Sequence, residues 1–272
     1  MLDTYLLFRP RHHQDGSSTP TAVGLQYDDV FLASDGVQGR LHGWFVPAKS
    51  DITLLWFHGS GSDISQHLGG IEALHHELGV NLFIFDYRGY GHSDGTVTED
   101  GTYRDAEAAL RYLLARQDVN PTGIVFYGCS LGSGVAVEMA TRHAAYAVLL
   151  ESPFTNIKAA AMKRYSWLLS WFPIGAIVQS RYDSLAKIKN VHSPLMIVHG
   201  DRDEEVPIDL GRQLFEAGNE PKEFYAVTGA GHNDTYSVGG KSYYRQLRRF
   251  LASCAGHHGQ GRSANYKVPG SV

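Results

Sequence analysis

The stretch GIVFYGCSLGSGVAVEMA, residues 123–140, decides the fold prediction for this chain. It begins with a short apolar run typical of a buried strand and ends with a segment of helical pattern. Ser130 lies at the turn between them, and Gly128 and Gly132 flank it at two positions' distance. Glycines at these positions let a strand and a helix touch while the central side chain stays exposed. The pattern indicates a candidate nucleophile at Ser130, the alternative being a glycine-bracketed turn that holds a serine by chance.

Short apolar runs alternate with helical patterns on both sides of this stretch. Residues 27–33 and 41–46 flank the turn-rich SDGVQG and predict an antiparallel hairpin. Six further runs have the composition of buried parallel strands: 53–58, 82–86, 123–127, 147–151, 195–199 and 223–227. Helical stripes lie between them. We therefore predict an α/β fold with an eight-stranded, mostly parallel sheet and helices on both faces.

The segment 157–193 interrupts this alternation and is rich in large apolar residues. It predicts a small lid insertion at the carboxyl edge of the sheet, where ligands bind in such folds. Trp167, Trp171 and Phe172 fit part of one helical face, which suits either packing or the wall of a substrate pocket. We expect one domain over residues 1–255, followed by a flexible tail at 256–272.

A serine hydroxyl needs a base to accept its proton, and a carboxylate must orient that base. The predicted strand LMIVH is followed by GDRDEEVP, residues 200–207, and the last predicted strand by GAGHND, residues 229–234. This order favours Asp203 as the acid and His232 as the base. Asp201, Glu204 and Glu205 remain alternatives for the acid, and a surface-loop histidine is the alternative for His232.

Composition excludes several classes of function. The 24 Lys and Arg residues against 28 Asp and Glu residues give a net charge of −4, without the basic patch of a nucleic-acid-binding protein. Two cysteines cannot form a disulfide framework, and the 14 histidines lack metal-ligand spacing. No stretch is long and apolar enough to span a membrane, and no signal peptide is evident. We expect a cytoplasmic protein without metal or other cofactor, and the oligomeric state stays open.

The chain resembles the α/β hydrolases, in particular a small-lid branch of serine hydrolases that includes bacterial carboxylesterases and eukaryotic protein depalmitoylases. The matching motifs, in chain order, are HGSG (58–61), FDYRGYGHSDG (85–95), GCSLG (128–132), ESPFT (151–155), RYDSLAKI (181–188), HGDRDEEVP (199–207) and GAGH (229–232). The resemblance implies Ser130 as nucleophile, Asp203 as acid and His232 as base. Two residues depart from the pattern of this branch. Cys129 stands where the branch often has a larger polar residue, and Ser60 stands where depalmitoylases usually have an asparagine.

Two backbone N–H groups must stabilise the oxyanion in this chemistry. We expect one from Leu131, directly after the nucleophile, and one from Ser60, in the glycine-flanked loop after the strand that ends at residue 58. His58 and His199 are interpreted as structural, Cys129 as a small buried filler, and Asp86 with Arg88 as an ion pair that stiffens the wall of the site.

The expected function is the cleavage of carboxylic esters with short to medium acyl chains through an acyl-enzyme intermediate. The expected substrate is a small molecule. An acyl-protein or acyl-CoA thioesterase and an amidase or peptidase are the alternatives within enzymes. A ligand receptor with slow hydrolysis is the alternative outside them.

Overall fold

The computed structural model describes residues 7–11, 18–164 and 180–258, and its centre is an eight-stranded sheet. The strands are β1 (Asp28–Leu32), β2 (Leu41–Val46), β3 (Thr53–Phe57), β4 (Asn81–Phe85), β5 (Ile124–Cys129), β6 (Ala147–Glu151), β7 (Leu195–Gly200) and β8 (Lys222–Val227). Their order in the sheet is β1-β2-β4-β3-β5-β6-β7-β8. The pairs β1–β2 and β2–β4 are antiparallel and the others parallel, so the predicted leading hairpin and mostly parallel sheet are confirmed.

Helices cover both faces of the sheet. They are α1 (Leu68–Leu78), α2 (Glu99–Ala115), α3 (Leu131–Arg142), α4 (Ile157–Arg164), α5 (Ser184–Lys187), α6 (Ile208–Ala217) and α7 (Thr235–His258). The buried side chains of α2, α3 and α6 join one apolar cluster, and those of α1 and α7 join another. Successive residues of β3 alternate between the two clusters, because neighbouring side chains of a strand point to opposite faces.

The segment 157–193, which the sequence predicts to be a lid insertion, follows β6 and precedes β7, and the structure describes its two ends, residues 157–164 and 180–193. Its first end is helix α4. At its second end, the carboxylate of Glu99 accepts hydrogen bonds from the backbone N–H groups of Arg181 and Tyr182. The fully buried Tyr182 ring lies against Gly134 of α3, where a Cβ atom would be 2.8 Å from the ring. The second end of this segment is therefore fixed to α2 and to α3, the helix that begins directly after Ser130.

Helix α7 continues to His258, three residues into the segment that the sequence predicts to be a flexible tail. Gly240 interrupts this helix with φ 48° and ψ −136°, a conformation that glycine adopts without strain. The remainder of the predicted tail lies outside the described residues. None of the helices in the described part of the chain has the length and apolar character needed to cross a membrane.

Candidate active site

Ser130 lies at the junction of β5 and α3 with φ 51° and ψ −118°, a strained conformation for a residue with a side chain. Two glycines make this turn possible. A Cβ atom on Gly132 would lie 1.9 Å from the carbonyl oxygen of Phe57, and one on Gly128 would lie 2.4 Å from that of Gly132. The Ser133 hydroxyl donates to the Ser130 carbonyl oxygen at 2.6 Å and helps to hold the turn. The turn is therefore determined by the backbone, as the sequence predicts.

The imidazole of His232 joins this serine to a carboxylate. Its Nε2 lies 2.9 Å from Ser130 Oγ, and its Nδ1 lies 2.7 Å from Asp203 Oδ2. His232 is in the loop between β8 and α7, whereas Asp203 follows β7. The side chains of His232 and Asp203 are 8% and 0% exposed. The structure thus brings together the three residues that the sequence nominates, in the order hydroxyl, imidazole, carboxylate.

Asp203 is held by more than the histidine. Its Oδ1 accepts hydrogen bonds from the backbone N–H groups of Glu205 and Val206 at 2.9 and 2.8 Å, and His199 Nε2 lies 3.4 Å from its Oδ2. Burial alone would raise the pKa of the Asp203 carboxyl, but the hydrogen bonds from His199, His232 and Val206 outweigh it. The pKa lies below its ordinary value of 3.8. The group therefore stays ionised and favours the tautomer of His232 that carries its proton on Nδ1.

The alternative acids are elsewhere. Asp201 is exposed, and its carboxylate accepts a hydrogen bond from the Gly229 N–H at 2.7 Å, so it braces the loop that leads to His232. Glu204 is exposed, and Glu205 lies at the wall of the cavity described below. Of these four carboxylates, Asp203 is the one within hydrogen-bond distance of His232.

The loop that follows β3 passes directly over the candidate nucleophile. A Cβ atom on Gly59 would lie 3.4 Å from Ser130 Cβ, and both Ser60 and Leu131 line the same cavity as Ser130. The N–H of Leu131 is at the first turn of α3, where helical N–H groups have no partner within the helix. These positions are compatible with the expected roles of the Ser60 and Leu131 N–H groups as oxyanion donors.

His58 and Asp86 lie behind this loop. His58 Nδ1 is 2.7 Å from the Gly59 carbonyl oxygen, and burial lowers the pKa of His58 to about 3, so it is neutral. Asp86 Oδ1 accepts a hydrogen bond from the Ile64 N–H at 3.0 Å. The expected pair of Asp86 with Arg88 is wrong: Arg88 pairs instead with the buried Asp105 at 2.7 Å. Helix α2 brings Asp105 to this position, a long-range contact that local sequence does not reveal.

Glu151, the last residue of β6, is a central residue that the sequence reasoning missed. Its backbone oxygen accepts the Ser130 N–H at 2.9 Å. Its carboxyl group accepts hydrogen bonds from three hydroxyls: Tyr127 on β5, and Thr235 and Tyr243 on α7, the last at 3.1 Å. Burial raises the pKa of Glu151 above its ordinary value of 4.5, which these donors only partly offset. We call this group of residues (Glu151, Tyr127, Thr235 and Tyr243) the carboxyl cluster. It joins the nucleophile strand to the helix that follows His232.

Cys129, beside the nucleophile, belongs to the same surroundings. Its Sγ lies 3.7 Å from Glu151 Oε2, and burial raises the pKa of its thiol well above the ordinary value of 9.0. The thiolate is therefore disfavoured, and Ser130 is the nucleophile that the geometry supports.

A cavity of about 690 Å³ opens onto Ser130 and His232. Its walls include residues from both apolar clusters, among them Trp56, Leu74, Tyr127, Phe154, Ile157, Tyr243 and Tyr244. The predicted pocket residues Trp167, Trp171 and Phe172 lie outside the described residues. Over the ranges that the structure describes, no group of three or more His, Cys, Asp or Glu side chains is arranged to hold a metal ion.

The chain is similar to proteins of a known family. A model of the prolyl oligopeptidase family matches residues 71–258. An uncharacterized protein of Mycobacterium tuberculosis is 36% identical over 231 residues, covering 84% of this chain and 80% of that protein. The human alpha/beta hydrolase domain-containing protein 17B is 34% identical over 228 residues, covering 82% of this chain and 75% of that protein.

Solved structures show the same fold. An esterase from Pyrococcus furiosus superposes with a TM-score of 0.74 at 24% identity, covering 92% of this chain and 98% of the esterase. An α/β hydrolase from Vibrio vulnificus superposes with a TM-score of 0.70 at 22% identity, covering 85% and 82%. The fold that the sequence predicts is confirmed, and the chain belongs to the prolyl oligopeptidase family of α/β hydrolases.

Proposed function

We propose that this hydrolase cleaves carboxylic esters of short to medium acyl chains through a covalent intermediate on Ser130. The observation that carries the proposal is the hydrogen-bonded chain from Ser130 Oγ through His232 to the buried Asp203. Serine becomes a competent nucleophile in this arrangement, because the imidazole accepts its proton while the carboxylate stabilises the imidazolium that forms.

In the first half-reaction, Ser130 Oγ attacks the acyl carbon and its proton passes to His232 Nε2. The carbonyl oxygen becomes an oxyanion, and the N–H groups of Ser60 and Leu131 stabilise it. When the tetrahedral intermediate collapses, the bond to the leaving oxygen breaks, and His232 returns the proton to that oxygen. The products of this half are the free alcohol and an ester of Ser130.

Water completes the cycle by the same groups. His232 Nε2 takes a proton from a water molecule, whose oxygen attacks the acyl carbon and forms a second oxyanion. Collapse breaks the bond to Ser130 Oγ, which recovers its proton from His232. The carboxylic acid leaves and the starting state is restored. Asp203 keeps its charge throughout, in line with its lowered pKa.

The preference for esters is supported by the fold shared with the Pyrococcus furiosus esterase. A cavity of about 690 Å³ suits a small substrate. Each buried methylene of the acyl chain gains up to about 0.8 kcal/mol until the chain outgrows the wall, so we expect a preference for about two to eight carbons. The match to the prolyl oligopeptidase family favours amide bonds as the second candidate. Rates on matched ester, thioester and amide substrates decide among these chemistries.

The decisive experiment is labelling with a fluorophosphonate probe, followed by mapping of the modified residue. We expect one adduct, on Ser130, and we expect Ser130→Ala to abolish both labelling and ester hydrolysis with no loss of folding. Cys129→Ala is the matched control, which removes the thiol next to Ser130, and this variant should still be labelled. An unlabelled Ser130 in folded protein would contradict the hydrolytic mechanism and favour a ligand receptor.

A further inference from the structure

Three buried polar atoms surround the carboxyl group of Asp86, behind the loop that follows β3. They are Nδ1 of His42, Nε2 of His58 and Oδ2 of Asp86 itself, and none of them has a hydrogen-bond partner in the described part of the chain. His42 Nδ1 lies 3.9 Å from Asp86 Oδ2, and His58 Nε2 lies 3.8 Å from Asp86 Oδ1. Because buried polar side chains are normally hydrogen-bonded, this arrangement requires an explanation.

The backbone fixes Asp86 beside His42. The Asp86 N–H donates to the His42 carbonyl oxygen at 2.9 Å. The Ser93 hydroxyl accepts the His42 N–H at 2.9 Å and donates to the Asp86 carbonyl oxygen at 2.6 Å. On the far side, a Cβ atom on Gly91 would lie 1.9 Å from Asp86 Oδ2, so the chain passes directly over the carboxyl group. The two side chains are therefore held face to face.

The hydrogen atoms of the two imidazoles can be assigned from their partners. His42 Nε2 lies 2.7 Å from the carboxylate of the half-exposed Asp29, and His58 Nδ1 lies 2.7 Å from the Gly59 carbonyl oxygen, so each of these nitrogens donates. A neutral imidazole has one N–H, which leaves His42 Nδ1 and His58 Nε2 as lone pairs that face Asp86. An ionised Asp86 would add further acceptors. One additional proton between His42 Nδ1 and Asp86 Oδ2 supplies the missing donor.

The environment of the pair favours this proton. Burial by itself would lower the pKa of His42, but its hydrogen bonds with Asp86 and Asp29 outweigh that effect and raise the pKa above the ordinary value of 6.5. Burial raises the pKa of Asp86 above its ordinary value of 3.8. His58 does not take the proton, because burial lowers its pKa to about 3. The proton therefore belongs to the pair of His42 and Asp86.

Other titratable groups face this pair or the neighbouring His58. The negative charges of the two carboxylates among them raise the pKa values of His42 and Asp86 and so favour retention of the proton. The one histidine after β3 is neutral, because burial lowers its pKa to about 4, and burial also raises the pKa of the two tyrosine hydroxyls. The groups are Asp29 on β1, Asp63 and His67 after β3, and Tyr87, Tyr90 and His92 after β4.

Asp86 and His58 hold the two ends of the loop that carries Ser60. Asp86 Oδ1 accepts the Ile64 N–H at 3.0 Å, and His58 Nδ1 donates to the Gly59 carbonyl oxygen at 2.7 Å. We propose that His42 and Asp86 are positioning residues for the Ser60 oxyanion donor, and that the proton they share keeps this loop in place.

This inference rests on the proposed ester hydrolysis and adds to it a second ionisation, separate from that of His232. When the pH rises and the proton leaves to solvent, the buried Asp86 carboxylate faces two lone pairs without a donor, which is unfavourable. The loop bonded to Asp86 then shifts, and the Ser60 N–H moves away from the position where the oxyanion forms.

The test is the pH dependence of kcat and KM for 4-nitrophenyl butyrate from about pH 5 to about pH 10. Ionisation of His232 gives the rise of kcat with pH. The shared proton should add a fall in kcat of about ten- to hundredfold on the alkaline side, the cost of a displaced oxyanion donor. KM should change little there, because this donor acts mainly in the transition state.

The decisive variants are Asp86→Asn and His42→Asn. In Asp86→Asn the amide oxygen can accept the Ile64 N–H while the NH2 group faces His42 as a donor that does not titrate. In His42→Asn the NH2 group faces the Asp86 carboxylate in the same way. The readout is the ratio of kcat at the optimum to kcat at about pH 10, which should approach one in both variants. Either variant decides the matter where the other does not fold.

His143→Asn is the matched control. It removes a histidine that contacts a carboxylate, Glu107 at 2.8 Å, at the carboxyl end of α3, and it should keep the alkaline fall of the wild type. A fall that persists in a folded Asp86→Asn or His42→Asn protein, or that is absent from the wild type, would overturn the positioning role and leave ester hydrolysis intact. Absence of turnover by folded wild type at every pH would instead contradict the proposed function.

Discussion

Asp203 and Glu151 are both buried carboxyl groups beside the same histidine loop, yet their environments push them in opposite directions. Asp203 accepts hydrogen bonds from two backbone N–H groups and from His232, and its pKa is lowered. Glu151 accepts hydrogen bonds from the neutral hydroxyls of Tyr127, Thr235 and Tyr243, and burial raises its pKa. The partners of a buried carboxyl group, more than its burial, decide whether it remains ionised.

This difference separates a carboxylate that serves the chemistry from one that serves the architecture. An ionised Asp203 can stabilise a histidine that becomes positively charged during the reaction. Glu151 instead joins β5, β6 and α7, and so fixes the distance between the nucleophile and the loop that carries His232. Four measurements, in order of decreasing expected effect, can break or sharpen this distinction.

The largest effect is expected for Asp203→Asn. The amide cannot favour the required tautomer of His232, so we expect kcat/KM to fall about 10⁴-fold while the fold is retained. Asp201→Asn is the matched control in the same loop and should lose far less, because the Asp201 carboxylate accepts a hydrogen bond from the Gly229 N–H, whereas Asp203 is the carboxylate bonded to His232. A severe loss for Asp201→Asn with a mild one for Asp203→Asn would show that the acid is misassigned.

A smaller loss of activity is expected for Glu151→Gln. One amide oxygen cannot accept all three hydroxyl donors, so we expect the free energy of unfolding to fall by about 1–3 kcal/mol. The displacement of the histidine loop should lower kcat by no more than about 10²-fold. Denaturant unfolding and steady-state kinetics measure the two effects. A loss of activity equal to that of Asp203→Asn would give Glu151 a direct part in the chemistry.

The two carboxyl groups should also give opposite dependences of stability on pH. The lowered pKa of Asp203 stabilises the fold fully above about pH 3.8, and this contribution is lost as the pH falls through the folded value. The raised pKa of Glu151 gives a contribution that is complete below about pH 4.5 and is lost as the pH rises towards the folded value.

The measurement is the free energy of unfolding of the wild type minus that of each variant, obtained by urea denaturation at a series of pH values. The dependence of this difference on pH shows the contribution of each carboxyl group. The difference for Asp203→Asn should increase with pH in the acid range and then level off. The difference for Glu151→Gln should decrease as the pH rises above about 4.5. Parallel slopes for the two variants would remove the distinction between the carboxyl groups.

The smallest effect is expected for Tyr243→Phe. It removes one of the three hydroxyl donors to Glu151 without opening a cavity, and we expect a loss of about 1 kcal/mol in the free energy of unfolding. Tyr244→Phe, at the next residue of α7, is the matched control. An equal change in the two variants would mean that the hydrogen bond from the Tyr243 hydroxyl to Glu151 makes no specific contribution to stability.

The sequence predicted the sheet, the turn at Ser130 and the residues that meet there, because each leaves a local pattern. Glycines must flank a strained turn, and an acid and a histidine must follow particular strands. The carboxyl cluster around Glu151 leaves no such pattern: its partners Thr235 and Tyr243 are 84 and 92 residues away. The pairing of Arg88 with Asp105 instead of Asp86 likewise depends on how α2 packs, and the wrong prediction came from reading the nearest carboxylate as the partner.

The contact of residues 7–11 with the loop after β3 was also missed, because a short segment of mixed composition has no periodicity to identify it. In this contact the backbone carbonyl oxygen of Phe8 accepts a hydrogen bond from the N–H of Gly61 at 3.1 Å. Backbone contacts of this kind do not depend on the residue type, so no residue in the sequence marks them.

The carboxyl cluster has a consequence for the order in which the chain acquires its structure during synthesis. Tyr127 and Glu151 leave the ribosome long before Thr235 and Tyr243, whereas a domain generally folds as a unit. Until helix α7 docks, Glu151 lacks two of its three hydroxyl donors, and a buried carboxyl group without partners is unfavourable. Helix α7 also begins three residues after His232, so the event that satisfies Glu151 is the same event that delivers the histidine to Ser130. A nascent chain therefore completes its interior and its candidate active site in one step.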